Sequence, residues 1–95
     1  MHAVIRQYRY DAENAAEINR KVHDGFLPLI DKTPGFVAYY WIDTGSGTGA
    51  SVSVFQDKAG ADASVQAAAH FVRDNLAQLI NGAPTVADGT VHAHG

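Results

Sequence analysis

Six segments of this chain are set off by the spacing of their apolar residues, and the order of those spacings limits the fold more than any single residue does. Ala3–Tyr10 alternates with period two: Ala3 and Ile5 share one face, while Val4, Arg6 and Tyr8 share the other. From Ala15 the spacing becomes three and four residues, through Ile18, Val22, Phe26 and Leu29, which is the apolar stripe of a helix. Asp11 precedes that stripe as an N-cap, and Gly25 with Pro28 predicts a kink or an end near Phe26. Phe36–Asp43 and Ser51–Gln56 are strands, joined through the glycine-rich stretch Thr44–Gly49 as a hairpin. Asp57 then caps a second helical stripe of Ala61, Val65, Ala68, Val72, Leu76 and Leu79, with Gly60 predicting a short first turn and a main helix from near Ser64. Asn81-Gly82 stops it, and Thr85–Ala93 is extended again.

The order β-α-β-β-α-β is the ferredoxin-like arrangement, an α+β fold with a four-stranded antiparallel sheet and two helices on one face. Right-handed crossovers then give the strand order 4-1-3-2. At 95 residues this is one domain, with no chain left for a second layer. Yet Phe36–Asp43 carries bulky residues on both faces, Tyr40 beside Trp41 being the clearest case. A second copy covering the open sheet face is the economical solution, so a homodimer with two sheets packed face to face is expected.

Composition removes several classes of function. Seven Lys plus Arg against ten Asp plus Glu, with no basic run, opposes a phosphate-tracking nucleic-acid binder. The absence of cysteine excludes disulfides and thiolate chemistry. No apolar stretch reaches the roughly 18 residues of a membrane span and no signal pattern opens the chain, so no membrane partner and a cytoplasmic location are expected.

The stretch PGFVAYYWIDTGSG, followed by SVSVFQDKAGADASVQAAAHFV, resembles the dimeric α+β barrels of the antibiotic-biosynthesis-monooxygenase-like superfamily. The shared pattern is a first helix ending in a Pro-Gly-aromatic turn, two strands, and a strand-end aromatic followed by an acidic or polar residue and a second helix. Phe55-Gln56-Asp57 stands where that family usually has Trp-Glu-Ser. The resemblance spans residues 3 to 92 and implies a homodimer with a cleft in each protomer, between its sheet and its helices or facing the barrel. In characterised members that cleft binds a flat aromatic compound. Some oxidise a phenol or hydroquinone with molecular oxygen and no cofactor, and a heme-degrading branch binds heme. The heme-degrading members use an Asn in the first strand with a Trp and a His in the second helical region. This chain has Arg6 and Gln7 in that strand and His70 without a Trp in that helix, so the heme triad is not carried over and no cofactor is expected.

Within this frame Arg6 is the first candidate. With Ala3 and Ile5 assigned to the helix side, Arg6 falls with Val4 and Tyr8 on the barrel side, where a guanidinium would hold a phenolate or carboxylate. A structural ion pair is the alternative. Flat surface for an aromatic ligand comes from Tyr39 with Trp41, or from Tyr40 alone, since neighbours on a strand face opposite ways. Tyr8 and Phe55 complete the proposed substrate contacts. His70 is the imidazole available as a catalytic base. It lies opposite the apolar stripe beside Asp74, which also fits a solvated surface residue. His23 sits at the edge of the first stripe. His2, His92 and His94 gather at one sheet end, but with only Asp88 as an in-frame carboxylate no metal site is expected. Two readings follow: a cofactor-free monooxygenase-like enzyme acting on a small aromatic, or a non-catalytic dimeric module that binds a small apolar ligand or only holds its dimer together.

Overall fold

Strand pairing places the most sharply alternating segment at the centre of the sheet. In the computed structural model, which describes residues 1–95, β1 (His2–Arg9) pairs antiparallel with β3 (Thr48–Phe55) on one side and β4 (Thr85–Thr90) on the other. β2 (Phe36–Gly45) pairs with β3, and the order across the sheet is β2-β3-β1-β4. This is the ferredoxin-like topology that the order of periods predicts. The β2-β3 hairpin closes through Gly47, whose φ is +78° and where a Cβ would run into the Tyr10 carbonyl oxygen. Only glycine meets both demands. The same residue's carbonyl accepts from the Tyr10 amide at 2.9 Å, which pins the turn to the end of β1.

Two helical arms cover one face. The first begins with a 3-10 turn (Ala12–Asn14) and runs through α1 (Ala15–Lys21), a π-helical turn (Val22–Phe26) and α2 (Leu27–Ile30). Asp11 does not cap it; its carboxylate accepts instead from Asn81 Nδ2 at 3.2 Å. The predicted break near Phe26 is a wide turn, and the helix continues past it. That turn adds one residue to the repeat, so the core stripe moves from the predicted Leu29, which is exposed, to Ile30, which is buried. The second arm is α3 (Lys58–Phe71) followed by another π-helical turn (Val72–Leu76). It is continuous from its start, where the Asp57 carboxylate accepts from the Gly60 amide at 3.0 Å. Its buried residues run Ala61, Ser64, Ala68, Phe71 and then Leu76, the last step of five again spanning a π turn. The arms meet where Gly25 leaves room for the ring of Phe71; a Cβ there would lie 3.0 Å from its edge.

The two sheet faces are the reverse of the assignment made from β1 alone. Val4, Arg6 and Tyr8 lie buried beneath the helices, whereas Ile5 is 45% exposed on the open face. Register supplies the reason. Arg6 and Val4 stand opposite Ser51 and Ser53, whose short side chains leave space for long neighbours under the helices. Ile5 stands opposite Val52, which stands opposite Tyr40, and these three form an apolar row across the open face. Tyr40 is 60% exposed there and Ile42 is exposed beside it. The helix-facing side is therefore the one that carries the unusual chemistry, and the open side carries an apolar row bordered by Gln7 and Arg9.

Candidate active site

Between the sheet and the helical arms lies a small cavity walled by Arg6, Tyr8, Tyr39 and Trp41 from the strands and by Phe26 and Phe71 from the helices. Its aromatic walls interlock edge to face. Tyr8 and Trp41 have ring centroids 5.2 Å apart at 66°, Phe26 and Tyr39 5.5 Å apart at 63°, and Phe26 and Phe71 5.3 Å apart. The free volume is about 10 Å³, room for one water, whereas a benzene-sized guest occupies a cavity of roughly 150 Å³. An aromatic guest therefore enters only if a wall ring moves.

Arg6 is the one cation in that lining. It is 6% exposed, and its side chain makes one hydrogen bond, Nε donating to the Tyr8 hydroxyl oxygen at 2.9 Å. The guanidinium carbon stands 5.8 Å from the centre of the same ring. No ion pair in the chain includes Arg6. A guanidinium stays charged at all physiological pH, and a buried charge without a counter-charge is costly. Its terminal nitrogens make no hydrogen bond within the chain and keep contact with solvent, so their donors are open to a ligand. The Tyr8 hydroxyl, having accepted from Arg6, keeps its own proton to donate in the same direction.

Trp41 is held at its nitrogen end. Its indole N–H donates to Asn19 Oδ1 at 2.7 Å, and Asn19 Nδ2 donates to Asp43 Oδ2 at 3.2 Å. Asp43 also accepts from the Gly45 amide, and these two donors hold its carboxyl below the usual carboxylate range. Tyr39 is driven the other way. Burial, with a smaller push from Tyr8, raises its phenol well above the usual value near 10, against opposing contributions from Ser51 and Arg6. It is a neutral O–H donor throughout the working range. The unfolded chain ionises Tyr39 near pH 10 while the folded chain does not, so this contribution is complete below pH 10 and is lost as pH rises beyond it. Urea unfolding at pH 9 and pH 11 is expected to show Tyr39→Phe losing less stability over that interval than the parent, by on the order of 1 kcal/mol.

Of the residues singled out in the sequence, the structure brings Arg6, Tyr8, Tyr39 and Trp41 to one cavity, on the helix side of the sheet. Register answers the question left between Tyr39 with Trp41 and Tyr40 alone: Tyr40 points to the open face. Phe55 does not reach the cavity. It is fully buried against Phe36, 6.1 Å away edge to face, as part of the core. His70 does not reach it either, being exposed on the outer side of α3 near Asp74. His23 is exposed, bonded to Asp24 at 2.9 Å. His2 pairs with Asp88 at 2.7 Å, and no three His, Cys, Asp or Glu side chains gather into a metal-binding group. Asn19 was missed because a lone Asn in a helix carries no signal until its strand partner is known. Phe71 was missed because the predicted stripe runs through Val65 and Val72, whereas the buried face of α3 runs through Ser64, Ala68 and Phe71.

No protein-family model and no curated protein matches the chain. Solved structures do. A protein of unknown function from Nitrosomonas europaea is 23% identical with a TM-score of 0.84, over 99% of this chain and 91% of that one. The monooxygenase from ActVA-Orf6 of Streptomyces coelicolor, in complex with nanaomycin D, is 14% identical with a TM-score of 0.80, over 98% and 88%. The heme-degrader MhuD of Mycobacterium tuberculosis, with two hemes bound in its active site, is 15% identical with a TM-score of 0.73, over 100% and 99%. The chain shares the ferredoxin-like α+β fold of these proteins. Within that fold, the cavity of this chain does not suit a heme iron. Its lining holds no His, Cys or Met. A tyrosine ligand would have to be a phenolate, which burial of Tyr39 opposes, and the Tyr8 oxygen is engaged by Arg6. No helix is long and apolar enough to cross a membrane.

Proposed function

We propose that this protein is a cofactor-free, monooxygenase-like enzyme that binds a small aromatic anion, a phenolate or hydroquinone anion, between its sheet and its helices. The observation that carries this reading is Arg6: a buried guanidinium without a carboxylate partner, set among flat aromatic side chains. An anionic oxygen seated on its terminal nitrogens would supply the missing counter-charge, and the rings of Tyr39 and Trp41 would sandwich or edge the guest. Holding the guest as its anion raises its electron density, which is what direct reaction with molecular oxygen requires. For a methylene carbon between aromatic rings the reaction balances with dioxygen as the only oxidant. The carbon loses both hydrogens and gains one oxygen atom as a ketone, and the other oxygen atom leaves with those two hydrogens as water. The ActVA-Orf6 monooxygenase with its bound nanaomycin D, on the same fold, supports this reading. The active unit is a homodimer joined through the open sheet face, where Ile5 and Tyr40 are exposed in the single chain on either side of Val52.

One observation favours a second reading, a non-catalytic module that binds such an anion. The cavity lining includes no carboxylate or imidazole to take up a proton. Turnover separates the two. Under air, anthrone-like phenols and hydroquinones are expected to consume oxygen in the presence of the protein and not in its absence, and Arg6→Met is expected to slow this at least about tenfold. Guest binding with no oxygen uptake across the panel would establish the binding module instead.

A further inference from the structure

Two surface hollows flank the small inner cavity, and they differ in charge. One lies over Asn19, Val22 and Trp41 beside the first helical arm, with a volume of about 380 Å³. Its neighbours include Asp43, bonded to Asn19, and Asp24, bonded to His23. The other is a groove between the second helical arm and β4, with a volume of about 540 Å³. Its walls are apolar and small, with Val65, Ala69, Val72, Ile80 and Val86 among them. Its charged groups are Arg6 and Arg73, the latter bonded to Asp74 at 3.0 Å, and no acidic side chain lines it. Arg6, Val65 and Val72 belong to both the groove and the inner cavity. The unpaired guanidinium therefore stands at the junction of an aromatic chamber and an open apolar trough.

The geometry points to a two-part ligand: an aromatic anion whose charged oxygen sits on Arg6, with one flat apolar part in the inner cavity and a second apolar part lying in the groove against Ala69 and Val86. This rests on the reading of Arg6 as an anion anchor and adds the substrate class, an organic anion with its charge flanked by apolar groups on both sides. The chamber has room for one water and takes the flat part only as a wall ring moves, whereas the groove stands open and is where length and substituents are read. The charge of the groove selects it over the hollow beside the first arm, where Asp43 and Asp24 oppose an anion.

Anilinonaphthalene sulfonate has this form, its sulfonate being flanked by a naphthalene and a phenyl ring. Naphthalene sulfonate lacks the phenyl group, and N-phenylnaphthylamine lacks the charge. Quenching of Trp41, the single tryptophan of the chain and a wall of the inner cavity, reports binding at this site. The unmodified protein is expected to bind anilinonaphthalene sulfonate about tenfold more tightly than naphthalene sulfonate. Ala69→Phe, or separately Ala83→Phe, fills the groove from an exposed position and is expected to erase that preference, with a circular dichroism spectrum matching the parent's showing that the variant is folded. Arg6→Met is expected to weaken both sulfonates and not the uncharged amine. A preference absent from the unmodified protein, or one that survives both groove variants, overturns the two-part site while Arg6-dependent binding of naphthalene sulfonate still stands. Binding of naphthalene sulfonate that ignores Arg6 overturns the anchor and the groove together.

Discussion

Arg6→Met is expected to do two opposite things: weaken binding of aromatic anions by about 100-fold or more, and raise the melting temperature of the ligand-free protein. The first effect follows from removing the only cation in the cavity. A desolvated charge contact of this kind is worth roughly 2–5 kcal/mol, and 100-fold is about 2.7 kcal/mol. The second follows from the same burial. In the free protein the guanidinium has one hydrogen bond, to Tyr8, and no counter-charge. Replacing buried ionic groups with apolar side chains of similar volume is often neutral or stabilising, by up to roughly 1–4 kcal/mol. In a domain of this size each kcal/mol shifts the transition by roughly 4–8 °C. Calorimetry at one fixed protein concentration, with and without naphthalene sulfonate, measures both. A structural role for Arg6 would show the reverse pattern, with melting lowered and anion affinity unmoved, and would remove the proposed anchor.

The second large effect concerns the open face. Sedimentation of the unmodified protein at micromolar concentration is expected to give about twice the chain mass of 10.1 kDa. Val52→Asp places a carboxylate in the middle of the row formed by Ile5, Val52 and Tyr40. Burying an unpaired charge in an apolar interface costs several kcal/mol, so dimer affinity should fall by well over 100-fold. Val52 lies on a central strand, and Tyr40→Asp on the edge strand β2 serves as the variant that leaves the β1-β3 pairing undisturbed. A monomeric parent protein would contradict the proposed assembly outright. The cavity beneath the helices would be unaffected, because it lies on the other face of the sheet.

That independence shows where sequence reasoning reached and where it stopped. Periodicity alone gives the element order and the strand order, because period two and period 3.6 are properties of local backbone geometry. It also isolates Arg6, Tyr8, Tyr39 and Trp41, since a charged residue and large rings stand out on otherwise apolar strands. It misassigns the faces of β1. Alternation says that Ile5 and Arg6 oppose each other, but a single strand does not reveal which side the helices take. Ile5 is the more apolar residue and would be placed in the core on that ground alone. The serines of β3 carry the answer, and only once register sets Ser51 against Arg6 and Ser53 against Val4.

His70 and Phe55 show the same limit from other directions. The resemblance offers a histidine somewhere in the second helical region, but the helix turns this one outward. The strand-end aromatic is absorbed into the core against Phe36. The π turns escape any fixed-period search because each inserts one residue, which shifts Leu29 out and Ile30 in and sets Leu76 five residues after Phe71.

What the chain's own order of residues determined is the alternation of strands and helices, their antiparallel sheet, and a surplus of apolar side chains that two helices cannot all cover. These depend on contacts between near neighbours and on simple conservation of area. What only the tertiary structure decided is that a lone guanidinium lies beneath the helices without a carboxylate, at the junction of a small aromatic chamber and an open groove. Burial and pairing of a charge depend on which distant side chains share its space, and that is set by strand register and helix packing together.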